Sequence, residues 1–172
     1  MKDKLIKLTL GLVQFLIDVG IVSTFFITFA VVIGEICCLI SPRSILGGPL
    51  TGSLVIQGLV VIALMALSFI CLVATHRLLD NLNQAKYFVV ANCQALQKIL
   101  WTTVTNTVIG GATTIWLSFA HVKPRASFLV MTGDDFSNSV TLIIILLIIY
   151  LIFKRGVALQ NDADSIIWVV TL

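Results

Sequence analysis

Charge is what this chain has least of. Only 11% of its 172 residues are Asp, Glu, Lys or Arg, while 59% are hydrophobic. A water-soluble domain carries about 25% charged residues, so that class is excluded. Histidine is limited to His76 and His121, which the topology argued below puts at opposite membrane faces, too far apart to share one haem or metal. The cysteines Cys37, Cys38, Cys71 and Cys93 fall at three depths, and no second pair completes a zinc site with Cys37-Cys38. They read as apolar fillers of packed helices. There is no nucleophile elbow, no metal-binding His pair and no glycine loop to cradle phosphate. The adjacent carboxylates Asp134-Asp135 stand in a short turn without a nearby His. No basic run interleaved with aromatics suggests direct nucleic-acid contact. The expectation is a non-enzymatic protein without catalytic, cofactor or metal residues.

What the chain has is four long apolar stretches, at about 8–40, 53–75, 99–120 and 139–153, and a mean hydropathy of +1.10. A bilayer core about 30 Å thick takes about 20 apolar residues in a helix. The fold class expected is an all-α integral membrane protein, four transmembrane helices in a bundle, with residues 1–172 forming one membrane domain. Lys2, Lys4 and Lys7 precede an apolar run too long for a signal peptide and without a small-x-small cleavage site, so the first segment is expected to stay as an anchor.

Lysine and arginine set the orientation. With the N-terminus cytoplasmic, Lys2, Lys4, Lys7, Arg77, Lys86, Lys98, Lys154 and Arg155 lie inside, and only Arg43, Lys123 and Arg125 lie outside. Both termini are therefore predicted to be cytoplasmic. Residues 41–52 hold two prolines and three glycines and read as an outer turn-rich link; residues 121–138 read as a short outer lid. Across 76–98, Leu78, Leu82, Ala85, Val89, Leu96 and Ile99 recur at helical spacing. This predicts a cytoplasmic helical hairpin that turns near Lys86-Tyr87. The tail, 154–172, ends in a β-branched run from Ile166 that suits an extended strand. Trp101, Trp116 and Trp168 suit the headgroup zones.

Asp18 most needs an explanation, because a carboxylate near a helix centre costs about 2.5–3.5 kcal/mol on insertion scales. Gly11, Gln14 and Asp18 form one small-and-polar stripe on the first helix, and Thr102, Asn106, Gly110 and Thr114 form another on the third. Helices 1 and 3 are expected to pack through these stripes, with Asp18 hydrogen-bonded to Asn106 or to neighbouring hydroxyls. A proton or ion role and a small-ligand role are the competing readings of the same residues. A second line, Gly20, Thr24 and Thr28, would serve helix 2 or helix 4, and Glu35 would snorkel or meet the outer loops.

Two segments carry a resemblance. Arg77-Leu78-Leu79 through Asn83, then Phe88, Asn92, Leu96 and Ile99 make one; Phe153-Lys154-Arg155-Gly156-Val157-Ala158-Leu159-Gln160 followed by Asp164 make the other. Together they resemble the bacterial four-helix membrane family known as domain of unknown function 2975, over nearly the whole chain. The family's Asn-Pro-Phe turn is Lys86-Tyr87-Phe88 here, only Asn92 remains of its Glu-Asn pair, and the usual Asp-Leu-Thr of the tail is Asp164-Ser165-Ile166. The resemblance implies a bacterial inner-membrane protein encoded near small helix-turn-helix regulators. That suggests a sensor, sequestering module or immunity-type factor touching a cytoplasmic partner such as a transcription regulator. Candidate contact residues are Arg77, Phe88, Asn92, Arg155 and Asp164. The rival expectation is a small transporter or ion pathway centred on Asp18, assembled as a homo-oligomer.

Overall fold

The computed structural model describes residues 2–40 and 52–170, with side chains for 8–37, 40 and 52–163. The described chain is all helical: α1 (Lys2–Ile40), α2 (Gly52–Asn83), α3 (Val90–Phe119), a 3-10 turn (Ser127–Leu129) and α4 (Gly133–Val170). Residues 41–51, the expected turn-rich link, lie outside the described residues. Three helices are long and apolar enough to cross a membrane, over Leu8–Cys37, Gly52–Asn83 and Gly133–Ala163. In lipid a helix is favoured because it closes its own backbone hydrogen bonds.

The helix α3 falls short of the other three in hydropathy because of its threonines. The hydroxyls of Thr102, Thr103, Thr105, Thr107, Thr113, Thr114 and Ser118 each donate to the carbonyl four residues earlier. This self-satisfaction lets a hydroxyl-rich helix occupy the most enclosed place in the fold.

Packing follows chain order: α1 on α2, α2 on α3, α3 on α4, with the 3-10 turn on α3. No comparable packing joins α1 to α3 or closes α1 onto α4 among the described residues. The expected bundle is thus an open row, with α1 and α4 at its edges. Consecutive helices pair as antiparallel neighbours because short connections hold them together. The core sits at the end carrying the α3–α4 connection, where buried Val61, Leu117 and Leu129 pack with Val31, Leu64, Met65 and Trp116. Trp116 is therefore half-buried against the core, whereas Trp101 is exposed.

Two helix ends are closed by the same device. Lys86 N–H donates to Asn81 (2.9 Å) and Ala85 N–H to Leu82 (3.0 Å), with Ala85 at φ 57°. Val122 N–H donates to Leu117 (3.2 Å) and His121 N–H to Ser118 (3.4 Å), with His121 at φ 52°. Both are paired C-terminal bonds around a left-handed residue, a position that usually takes glycine. Thr132 caps α4: its N–H donates to an Asp135 carboxylate oxygen at 3.0 Å, and its hydroxyl accepts the Asp135 N–H at 3.2 Å. The Asp134-Asp135 turn is a helix start, where negative charge faces the positive end of the dipole.

The tail differs from expectation. α4 runs unbroken through 154–170, so residues 166–170 are helix and not extended strand. β-branched residues only weakly disfavour helix, and an established helix propagates cheaply through them.

Candidate functional site

The polar contacts between helices gather at the two ends of the fold. One end holds the α2–α3 turn, the first half of α1 and the last third of α4; it is called the turn end below.

Asn92 organises the turn. Fully buried, it accepts from Asn81 Nδ2 at 2.7 Å and donates to the carbonyls of Lys86 and Tyr87, both at 2.7 Å. One side chain therefore closes the loop from α2 to α3. This corrects Asn92 as a partner-contact residue, since every polar group it has is spent within the chain. The turn then reaches α4. The ring of Phe88 stands 5.7 Å from that of Phe153 and rests on Gly156, where a Cβ would collide with it. Arg77 and Arg155 are exposed, and the side chain of Asp164 lies outside those described. Cys93 lies near Lys154; burial pushes its thiol up, and the ammonium partly opposes this.

On α1, the expected pairing is replaced. Asp18 Oδ1 lies 2.7 Å from His76 Nδ1 of α2, and Gln14 Oε1 accepts from Asn83 Nδ2. The Asp18–His76 approach has ion-pair distance without hydrogen-bond alignment, so Nδ1 gains a charge neighbour but no directed bond. His76 stands roughly 10 Å along α2 from Asn83, so Asp18 lies towards the turn end. The partner of Asp18 is not Asn106, and helices 1 and 3 do not pack through their stripes. Gly11 faces open space, while a Cβ at Gly20 of the second line would stand in ordinary contact with Leu72 of α2, 3.7 Å away.

The α3 stripe has other uses. Thr102 is buried and gives its hydroxyl to the carbonyls of Lys98 (2.8 Å) and Ile99 (2.9 Å) of its own helix. Thr114 accepts the Met131 N–H at 2.7 Å, and Gly110 faces the Met131 sulfur. Asn106 lines a crevice of about 430 Å³ with Leu64, Phe128 and Asp135, and its Oδ1 finds no hydrogen-bond partner. The stripe therefore seats the 127–132 segment.

At the opposite end, sequence reasoning missed Gln57. Fully buried on α2, it donates to Lys123 O at 3.3 Å and accepts the Arg125 N–H at 2.7 Å, clamping the α3–α4 connection. Arg125 also reaches Glu35 of α1 at 2.5 Å, and the Glu35 carboxylate lies over Gly58, in space that a Cβ there would take. A lone glutamine in an apolar run was the available signal. Among the described residues no three His, Cys, Asp or Glu side chains gather at metal-ligand spacing.

The chain matches, over residues 49–167, the family described as protein of unknown function (DUF2975). The match spans α2, α3 and most of α4 and leaves out α1, a narrower reach than the nearly whole-chain resemblance expected. No curated protein and no solved structure matches.

Proposed function

The chain belongs to the DUF2975 family, and we propose from that premise that it is a non-enzymatic bacterial inner-membrane protein that senses or sequesters through a cytoplasmic partner. In this reading all four helices cross the bilayer and both termini face the cytoplasm. The excess of lysine and arginine at the turn end supports the orientation. Enclosure of α3 between α2 and α4, with its hydroxyls closed onto its own carbonyls, supports the fourth crossing.

One observation carries the partner surface: Phe88 on Gly156 and Phe153 makes the α2–α3 turn and the polar stretch of α4 a single surface. Lys86, Tyr87 and Arg155 stand exposed around it. Residues 2–13 and 157–170 run on past that level, roughly 18 and 21 Å of helix, as two arms flanking it. The test is affinity capture of the full chain from its native membranes, beside a Lys86→Glu/Arg155→Glu variant. A soluble regulator recovered with the first and lost with the second supports the reading. Capture of self-copies alone counts against it.

A second reading, a proton or ion pathway, is favoured by the Asp18–His76 pair, which sets a carboxylate of α1 and an imidazole of α2 2.7 Å apart. Flux in reconstituted vesicles that vanishes in Asp18→Asn would make this the function.

A further inference from the structure

Arg77 of α2 and Lys98 of α3 border a crevice of about 370 Å³ near the turn end. Neither side chain has an ion-pair or hydrogen-bond partner among the described residues. The acid beside them, Asp80, accepts from Gln84 Nε2 at 3.2 Å, so the crevice keeps a local excess of one positive charge. Gln94 adds an amide to its wall. The floor of this crevice includes Phe69 and Ile70, and those two residues also line a second slot of about 370 Å³ between α1 and α2. That slot is apolar: Phe25, Phe29, Val32 and Ala66 form it, and the one hydroxyl, of Thr28, is spent on the Thr24 carbonyl at 2.7 Å. A cationic crevice and an apolar slot thus adjoin each other at Phe69 and Ile70 of α2.

We propose that these two adjoining cavities bind one anionic phospholipid of the cytoplasmic leaflet, its phosphate at Arg77 and Lys98 and one acyl chain passing Phe69 and Ile70 into the slot. Dimensions support the assignment. From Arg77 to Ala66 is about 16 Å along α2, close to half of a hydrocarbon core about 30 Å thick. Charge complementarity selects the headgroup, since a net positive mouth prefers a lipid of net negative charge over a zwitterion. The slot selects a lipid over a soluble phosphate, which would leave it empty. The site lies on α1, α2 and α3, apart from the Phe88–Gly156 surface, so it stands or falls independently of the partner reading. It does rest on the turn end facing the cytoplasm.

Native mass spectrometry of the full-length protein tests this, using equal amounts of phosphatidylglycerol and phosphatidylcholine with identical acyl chains. The expected result is one retained lipid with a preference of about tenfold for phosphatidylglycerol, from two surface cations. Arg77→Gln/Lys98→Gln should reduce that preference to about twofold or less. Ala66→Trp, which fills the slot, should lower retention of both lipids while helix content by circular dichroism is unchanged. Glycerol 3-phosphate should not compete. Equal retention of the two lipids by the unaltered protein, an unchanged preference in the double variant, unchanged retention in Ala66→Trp, or competition by glycerol 3-phosphate would each overturn the proposal. The comparison on the unaltered protein is decisive by itself should a variant fail to fold.

Discussion

The ring of Phe88 lies directly over Gly156, so the turn between α2 and α3 and the far stretch of α4 touch at a point where no side chain other than hydrogen fits. The two segments that carry the family resemblance, separate along the chain, therefore meet in space. In this chain they are joined by packing: a ring from one and a missing Cβ from the other.

That contact predicts a coupled pair of variants. Gly156→Val should destabilise the purified protein by about 1–3 kcal/mol, because overpacking forces the turn away. Phe88→Ala should cost less and should remove most of the valine penalty when combined with it. Thermal unfolding in detergent across the four proteins gives the coupling, and simple additivity would show that the ring does not sit there.

Asn92→Asp tests the clamp without changing its shape. An ionised aspartate presents only acceptors to the carbonyls of Lys86 and Tyr87, leaving both without their donor. A loss of about 2–4 kcal/mol is expected, with faster amide exchange at residues 84–90. Gln57→Glu should do the same at the opposite end, where the amide donates to Lys123 O.

Ala85→Gly should stabilise the protein by about 0.5–1 kcal/mol, since the left-handed conformation costs an L side chain what glycine does not incur. His121→Gly is expected to behave alike. The unfolding midpoint of each variant measures this directly.

Asp18→Leu should leave folding and abundance close to normal. The pair with His76 is half open, Asp18 at 50% and His76 at 35% exposure, and such pairs contribute about 0–1 kcal/mol. Normal abundance with lost activity would move Asp18 from a packing role to a working one.

Orientation is checked by thiol labelling in a cysteine-free background. Gly133→Cys should react with an impermeant maleimide in whole cells, and Val90→Cys only after permeabilisation. The reverse pattern would invert the topology, and with it the side on which any partner and the proposed lipid are sought.

Much of the helix content could be read from the residues. The apolar runs mark where helices must lie, and the structure ends α2 at Asn83 and begins α3 at Val90. The end of α4 was harder to read: it continues well past its apolar stretch, since a helix begun in lipid extends through polar residues until a cap or turn stops it. The site was less legible. Asp18, Gln14, Asn106 and Thr102 stood out as polar groups in apolar surroundings, yet their partners were assigned by matching stripes, which cannot tell one neighbouring helix from another. Gln57 went unnoticed because a single amide in an apolar run has no periodic signature.

Composition by itself determined that this is a chain of long apolar helices, because an unpaired peptide group is too costly in hydrocarbon for any open alternative; of the four crossings it implied, the described helices give three apolar enough to cross a membrane. Only the tertiary structure decided that the helices stand in an open row, that Asp18 meets His76, and that Phe88 finds Gly156. Those outcomes depend on how each helix is rotated and at what height it meets its neighbour. Both are set by the joint fit of many side chains, which no one segment encodes alone.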